Sequence, residues 1–331
     1  MNTNDKYQLN LQLFNNTNLT TSSTEGNDLS PEMKIFYSDY LIDNAKPNLV
    51  HDQFAQKHPI PKNGGKTIEF RKYSPFAKAL TPITEGVTPD GHNLNLTTLT
   101  ATVAQYGDYV ELSDVLLLTA IDNNLVEATK LLGNQAGETL DTITREVLVG
   151  GTNVQYSGGK SARSALTVDD KLTVDDCFRA ARFLKTQKAQ KIDGYYVAII
   201  HPDVAYDIMR SDEWTSAAKY AGSTQLFEGE IGRVAGIRFV ETTEAKIFAK
   251  AGASSKDVYA TLVLGANAYG VTEVDGGGLQ HIVKQLGSAG TADPLNQRAT
   301  VGWKAIKTAE RLVEGYMIRI ESCSTFDSGA N

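Results

Sequence analysis

One stretch of the chain has the periodicity of a long amphipathic helix, and it limits the folds that the chain can adopt. Asp122 is a candidate N-cap, and Gly150-Gly151 should end the helix. At 1.5 Å per residue, a helix over 123–148 would be about 39 Å long, roughly twice an ordinary one. We expect a sheet to lie along its apolar stripe. The stripe consists of Leu125, Ala128, Leu132, Ala136, Leu140, Ile143 and Val147.

A long non-helical stretch precedes this helix. Residues 66–73 alternate apolar and polar side chains, as a strand does, and a second strand region is predicted from Leu94 to Leu112, with a bulge at Thr97-Thr98. Prolines and glycines interrupt the residues between them, which predicts a hairpin with a tip of about twenty residues. Fully extended, the hairpin would reach up to about 60 Å, whereas a compact domain of this length has a radius of gyration of roughly 20 Å.

Positive charge is concentrated in this region of an acidic chain. The net charge is −7, yet residues 57–92 contain six Lys and Arg residues against three acidic ones, so the rest of the chain sums to −10. A basic hairpin is suited to docking on another copy of the acidic body, and it is equally consistent with an ordinary solvated hairpin. The acidic balance argues against a dedicated nucleic-acid binder.

The sequence "GGKT" at residues 64–67 matches the end of a phosphate-binding P-loop. The position that should hold the first glycine is Ile60, followed by Pro61, and the residues after Thr67 have strand periodicity. A turn that opens a strand is therefore favoured over a nucleotide site, although a nucleotide-using α/β enzyme stays as an alternative. The five histidines are not at ligand spacing, and His201 is interpreted as a helix-entry residue. No catalytic, cofactor or metal site is predicted.

The rest of the chain predicts a mixed α+β protein with no membrane span and no signal peptide. Residues 1–30 are polar and predict a flexible arm, in which the apolar residues of "LNLQLF" would dock elsewhere: Leu9, Leu11, Leu13 and Phe14. A helix is predicted from Pro31 to about Asn44. Later elements are a helix from Thr173 to about Lys188 with Asp176 in a capping box, a strand at 195–200, a helix from Pro202, and strands at 300–307 and 316–321. Cys177 and Cys323 are interpreted as free thiols.

Five stretches of the chain are distinctive in wording and order: "LNLQLF", "PNLVHDQFAQKHPIPKNGGKTIEFRKYSPFAKALTPITEGVTPDG", "TATVAQYGDYVELSDVL", "EATKLLGNQAGETLDTITREVLVGGTNV" and "DPLNQRATVGWKA". With the order of the elements, they resemble the tailed-phage major capsid protein fold, named after the Hong Kong ninety-seven phage, and most of all the coat proteins of the phage N-four type. The resemblance covers essentially the whole chain. None of these stretches is a catalytic motif.

The resemblance implies a domain order and a structural function. The expected parts are an N-arm (1–30), an N-terminal helix region (31–56), an extended E-loop hairpin (57–112), a P-domain with the spine helix (113–172), a mixed α/β A-domain (173–295) and returning P-domain strands (296–331). Copies would form hexamers and pentamers of an icosahedral shell around double-stranded DNA. The E-loop residues expected to contact a neighbouring subunit are Lys62, Lys66, Arg71, Lys72, Phe76 and Lys78.

The same resemblance implies the partners. Besides itself, the chain would work with a separate scaffold protein, because its arm is shorter than the built-in scaffold of some relatives, and with a portal. It would hold packaged DNA without sequence specificity, assemble in the host bacterial cytoplasm and reside in the virion capsid. Covalent crosslinking of an E-loop lysine occurs in some relatives, but no acceptor is identifiable here. Encapsulin nanocompartments resemble the same fold and are the alternative.

Overall fold

Two β-sheets and the helices packed on them form the body of the protein, and a separate two-stranded hairpin extends from it. The computed structural model describes residues 41, 49–60, 65–73, 76–83, 85–86, 88, 91–119, 124–214, 232–274, 278–288 and 293–331. The N-arm, nearly all of the helix predicted from Pro31, the basic residue Lys62 and the N-cap predicted at Asp122 lie outside these residues.

The first sheet is built around the longest described strand of the chain. Its strands are β1 (Gln56–Ile60), β4 (Ala104–Ser113), β11 (Tyr269–Val274), β12 (Gln280–Lys284) and β13 (Arg298–Arg311). β4 runs antiparallel along one edge of β13, whereas β12 and β11 pair in turn with the other edge. β1 adds to β11 in parallel.

The second sheet has seven strands in the order β5-β14-β10-β6-β8-β7, with β9 paired to β10. Their bounds are β5 Val154–Tyr156, β6 Tyr196–Ile200, β7 Arg233–Val234, β8 Ile237–Glu241, β9 Ile247–Phe248, β10 Val258–Leu264 and β14 Met317–Ser322. β6, β10 and β14 are buried along their whole length, which fits a sheet covered on both faces. The predicted strands near 195–200, 300–307 and 316–321 are confirmed as β6, β13 and β14.

The described helices are α1 (Asp114–Thr119), α2 (Asn124–Val149), α3 (Val174–Thr186) and α4 (Pro202–Met209). α2 is the long helix that the apolar stripe predicts, and it packs Leu132, Ala136 and Leu140 against Val301 and Trp303 of β13. The sheet expected along the stripe is therefore the first sheet. α3 begins with the predicted capping box between Thr173 and Asp176 and ends two residues earlier than expected.

The predicted second arm of the hairpin needs correction. There is no bulge at Thr97-Thr98, because both residues pair in continuous register with Lys72 and Arg71. The break comes at Val103 instead, between β3 (Leu96–Thr102) and β4. The main-chain N–H of Val103 donates to the carbonyl of Lys66 at 2.9 Å and closes the root of the hairpin there.

The two sheets do not coincide with the segments expected for the A-domain and the returning strands, because each sheet takes strands from both segments. β11 and β12, from the segment 173–295, pair with β13 of the first sheet. β14, from the segment 296–331, pairs with β10 of the second sheet. The connections between β10, β11, β13 and β14 thus run back and forth between the two sheets, and the core at their junction includes Leu148, Leu264 and Tyr269.

The residues after β14, 323–331, form a C-terminal segment that lies against α4 and β10. The hydroxyl of Ser324 and the main-chain N–H of Thr325 both donate to the Asp207 carboxylate, at 2.7 and 2.8 Å. Burial opposes ionisation of Asp207, but the hydrogen bonds from Thr325 and Ser324 outweigh it and lower the pKa of this carboxyl below its usual value. The segment is thus held by a charged acceptor.

Candidate subunit interface

The hairpin consists of β2 (Thr67–Tyr73) and β3, paired antiparallel from Thr67 opposite Thr102 to Tyr73 opposite Leu96. The predicted strand at 66–73 is therefore confirmed, and so is the presence of a hairpin. The hairpin strands span only 67–102, because β1 and β4, at the two ends of the predicted 57–112, pair in the first sheet. Residues 74–95 connect the two strands, in agreement with a tip of about twenty residues. A two-stranded ribbon has little core of its own, so its stability depends on what it packs against.

One aromatic side chain anchors the hairpin to the body. Phe70 is only 6% exposed. Its ring meets the imidazole of His58 edge to face, with ring centroids 5.0 Å apart. It also lies against the backbone of Gly270 in β11, where a Cβ would come within 3.0 Å of the ring. Phe70 therefore joins the hairpin to β1 and β11 through close packing.

A cavity of about 500 Å³ flanks this anchor. Leu99 and Leu312 contribute apolar walls, while Glu69 and Arg71 lie at its polar side. The hairpin root is thus incompletely packed on the body, and Phe70 carries much of the contact there.

The tip of the hairpin presents apolar side chains to solvent. Phe76 is 57% exposed although its ring stacks on His92, with centroids 5.8 Å apart. Leu80 is 82% exposed, and Ile83 and Leu94 are also largely exposed. Four large apolar side chains within one connecting segment are thus left exposed to solvent.

The basic residues predicted to contact a neighbouring subunit fall into two groups, those whose side chains the structure describes and those whose side chains it does not. Lys66, Arg71 and Lys78 are exposed, and none of them forms an ion pair with another described residue. Lys72 belongs to β2, but its side chain lies outside the described residues, as do Lys62 and the arm residues Leu9, Leu11, Leu13 and Phe14. The hairpin therefore combines positive charge with exposed apolar surface.

A buried polar network holds the segment that leads into the hairpin. The main-chain N–H of His51 donates to Asp141 of α2 at 2.7 Å, and the His51 Nδ1 lies 2.6 Å from the other carboxylate oxygen. The Tyr269 hydroxyl donates to the carbonyl of His51. Burial, together with Asp52 and Asp141, raises the pKa of Tyr269 well above its usual value, so the phenol stays a donor.

A second part of this network joins α2 to β13. Lys307 pairs with Asp52 and donates to the carbonyl of Leu140 at 2.8 Å. The Thr144 hydroxyl donates to the same Asp52 carboxylate at 2.6 Å. The chain just before β1 is thus fixed to both α2 and β13.

The residues that suggested chemistry have structural roles. Gly65 has a φ of +89° and Lys66 is exposed, and strand β2 begins at Thr67, where a P-loop would have a helix. His201 is the N-cap of α4 and accepts from the Asp203 N–H at 3.2 Å; burial lowers its pKa, which keeps the ring neutral. Among the described residues, no group of three or more His, Cys, Asp or Glu is placed to hold a metal ion, and no helix has the length and apolarity to cross a membrane.

Comparison with known proteins identifies the family of this chain. The model of a family described as phage capsid protein matches residues 121–287, half of the chain. The chain belongs to the phage capsid protein family. This capsid protein is accordingly a structural protein and not an enzyme, which removes the nucleotide-enzyme alternative.

Solved capsids show the same fold. The capsid protein superposes on the cyanophage Pam1 capsid with a TM-score of 0.68 at 14% identity, over 92% of this chain and 98% of that one. The Ralstonia phage GP4 capsid gives 0.64 at 17% identity, over 84% and 89%. The cyanophage P-SCSP1u capsid gives 0.62 at 15%, over 95% and 94%. None of the curated protein sequences matches significantly.

These findings confirm the resemblance to tailed-phage capsid proteins and the α+β capsid fold. They place the capsid protein in a virion capsid, where copies of it assemble into the shell, and they give the encapsulin alternative no better support. Sequence reasoning missed the anchor Phe70 and the exposed Leu80, Ile83 and Leu94. The only signal for Leu80 and Ile83 was apolar residues in a segment without helical or strand periodicity. Leu94 was predicted to begin the second strand, which in the structure begins at Leu96.

Proposed function

We propose that this capsid protein is the major capsid protein of a tailed phage or prophage, and that its hairpin docks on a neighbouring copy in hexamers and pentamers of an icosahedral shell. One observation carries the proposal: the tip presents Phe76, Leu80 and Ile83 to solvent, while the root is fixed to the body by Phe70. Apolar surface exposed on such an arm contributes to stability only when another molecule covers it.

Charge supports the same assignment. Arg71 and Lys66 are exposed on an arm that extends from a body with a negative balance. Such complementarity mainly increases the rate and specificity of association between copies. Lys62 and Lys72 belong to the same basic stretch in sequence, and the proposal includes them.

Further partners rest on the family resemblance. We include in the proposal a scaffold protein, a portal and packaged double-stranded DNA, which the acidic shell protein would enclose without sequence-specific contacts. Assembly in the host bacterial cytoplasm and docking of the arm residues Leu9, Leu11, Leu13 and Phe14 belong to the same proposal. So does the assignment of the hairpin, β2 and β3 with the tip between them, to the E-loop expected at 57–112.

Charge reversal at Arg71 and Lys72 tests the docking arm. We expect Arg71→Glu with Lys72→Glu to impair assembly while the subunit stays folded, because both positions lie on the hairpin strand that leaves the body. Sedimentation velocity and negative-stain microscopy would measure shells and rings, and circular dichroism would measure folding. The matched control is Arg71→Lys with Lys72→Arg, which keeps the charge. Normally sized shells from the reversed variant would exclude a docking role for these charges.

A further inference from the structure

Helix α3 and the turn that follows it carry a concentration of positive charge. Residues 177–192 contain five Lys and Arg residues and no acidic residue, whereas the whole chain has a net charge of −7, so the other residues sum to −12. Four of the five cations occur at every third position, and all four side chains are exposed. We call this set the basic ridge. It consists of Arg179, Arg182, Lys185 and Lys188.

The ridge lies on the side of α3 that points away from the second sheet. Ala180, Ala181 and Leu184 of α3 are buried in the same core cluster as side chains of β6 and β10. A step of three residues turns a helix by about 300°, so the three ridge cations within α3 stay inside an arc of roughly 120° that faces solvent. After the helix ends, the main-chain N–H of Lys188 donates to the carbonyl of Lys185 at 3.0 Å, which keeps Lys188 next to the last turn.

The rest of the protein neutralises the ridge poorly. Arg179 pairs with Asp175 at 2.8 Å on the same helix, but both side chains are more than half exposed, and such a pair contributes little. Arg182, Lys185 and Lys188 form no ion pair with another described residue. The ridge therefore presents positive charge to solvent.

The helix dipole does not account for the whole ridge. Lys185 is in the last turn of α3, where a cation is favoured, but this effect falls off within that turn. Arg179 and Arg182 lie before it. Like charges one turn apart on a helix repel each other, so an external anion that binds along the ridge would relieve an unfavourable interaction.

The composition of the ridge favours a phosphate polyanion over a protein. Protein–protein contacts are depleted in Lys and centre on aromatic and apolar side chains, whereas protein–DNA contacts are polar and strongly positive. Thr186 and Gln187, the residues between the last two ridge cations, are polar and exposed. The exposed Phe178 lines a groove with Trp214 and Val234 at the side of α3.

The length of the ridge matches the spacing of phosphates. From Arg179 to Lys188 the chain advances by about 13 Å at 1.5 Å per residue. One DNA strand carries a phosphate for every ~3.4 Å of the helix axis, so a stretch of this length holds about four phosphates. The ridge thus supplies one cation for each of them.

We propose that the basic ridge on α3 binds the phosphate backbone of double-stranded DNA. Each ridge cation contacts a phosphate of one strand and no base edge is read, so binding is independent of sequence. The proposal rests on the proposed function for the identity of the polyanion, and it adds the surface of the chain that touches it. Binding is weak, because the acidic remainder of the chain repels the duplex.

The salt dependence of DNA binding tests the ridge. The unassembled full-length protein is titrated into a fluorescent mixed-sequence duplex, and the association constant is measured by anisotropy between about 50 and 200 mM NaCl. Four phosphate contacts predict a slope of log K against log salt of about −3.6. Arg182→Gln with Lys185→Gln and Lys188→Gln should remove about 2.7 of that slope and weaken binding at every salt concentration.

The matched control removes the same charge from other parts of the body. Lys130, Arg238 and Lys250 are exposed and lie outside α3. Arg238 alternates in β8 with Ile237 and Phe239, which are buried in the core cluster under α3, so its side chain lies on the opposite face of the sheet. Replacement of the three control cations by Gln should leave the slope unchanged.

Two further variants separate charge from shape. Arg182→Lys with Lys185→Arg and Lys188→Arg keeps the charge and should bind as the natural chain does. Phe178→Ala removes the apolar neighbour of the ridge and should not change DNA binding. A loss with Phe178→Ala as large as that of the Gln variant would show that the contact is not electrostatic and would overturn the proposal. Circular dichroism checks that each variant is folded.

The remaining outcomes separate the ridge from the proposed function. If the ridge variant and the control variant lower the slope equally, or if the natural chain does not bind the duplex at about 50 mM salt, the ridge is not a DNA site. Shell formation, followed by sedimentation, tests the proposed function independently. The ridge variant should assemble normally, and a folded ridge variant that fails to assemble would make the ridge a subunit contact.

Closed shells provide the last test, because their interior is not accessible to added duplex. They should bind less duplex per subunit than the unassembled protein does. Equal binding would place the ridge on the outside of the shell and would overturn its assignment to packaged DNA.

Discussion

Replacement of Phe70 by alanine should release the hairpin from the body without unfolding the body. Burial of a Phe side chain contributes about 1.5–3 kcal/mol, and an edge-to-face ring pair adds about 0.5–1.5 kcal/mol. Phe70 has both the burial and the His58 ring contact. Complete removal in a core that is packed on all sides costs about 3–5 kcal/mol, but the cavity of about 500 Å³ leaves one side of Phe70 without close neighbours. We therefore expect a loss of about 3 kcal/mol.

This loss of free energy should destabilise the hairpin and not the two sheets of the body. A free energy of about 3 kcal/mol corresponds to an opening equilibrium roughly 100-fold larger, since each 1.4 kcal/mol is tenfold. Without its anchor, the two-stranded ribbon is marginally stable, so amide exchange in β2 and β3 should accelerate by up to that factor while β10 and β13 stay protected. Hydrogen exchange with mass spectrometry measures this directly.

The control is on the same hairpin. Phe76→Ala removes the same side chain from an exposed site, and we expect no change in exchange at the hairpin root. The reasoning would be refuted if Phe70→Ala left exchange in β2 and β3 unchanged. A uniform acceleration across both sheets would refute it in another way, because it would show that Phe70 stabilises the whole domain.

Three further predictions concern buried polar groups. Asp141→Ala leaves the His51 N–H and ring without their acceptor and should lower the free energy of unfolding by about 3 kcal/mol or more in urea titrations, whereas Glu138→Ala, exposed on the same helix, should change it little. Because the pKa of Asp207 is lowered in the folded protein, its carboxylate stabilises the C-terminal segment at neutral pH, and this stabilisation is lost as the pH falls below about 4. Proteolysis of the C-terminal segment should therefore become faster below that pH. Asp207→Asn should remove this acid dependence. Burial raises the pKa of Cys177 to about 12 and that of Cys323 to about 11, so neither should react with a maleimide in the native protein at pH 8, and rapid labelling would contradict the structure.

Local periodicity was enough to predict the long helix and the hairpin. The stripe through Leu132, Ala136 and Leu140 repeats at helical spacing, and these residues are buried against β13. The alternation after Thr67 likewise defines β2. Both patterns are intrinsic to consecutive residues, so a single sequence contains them.

Pairing over long distances was not predictable in the same way. β1 contains Pro59, which speaks against a strand, yet β1 lies at the edge of its sheet, where a missing N–H is tolerated. Its partner β11 lies some two hundred residues later, and no local pattern records that pairing. The anchoring role of Phe70 has the same origin, because alternation identifies a strand but not which of its side chains meets another element.

The break at Val103 shows how one continuous extended stretch is divided between the hairpin and the body. β3 and β4 follow each other with one residue between them, yet β3 pairs with β2 whereas β4 pairs with β13. The main-chain N–H of Val103 donates to the carbonyl of Lys66, so the pairing partner changes at the residue that closes the hairpin. Because the two strands differ in their long-range partners and not in their local conformation, periodicity alone predicted one strand region where the structure has two.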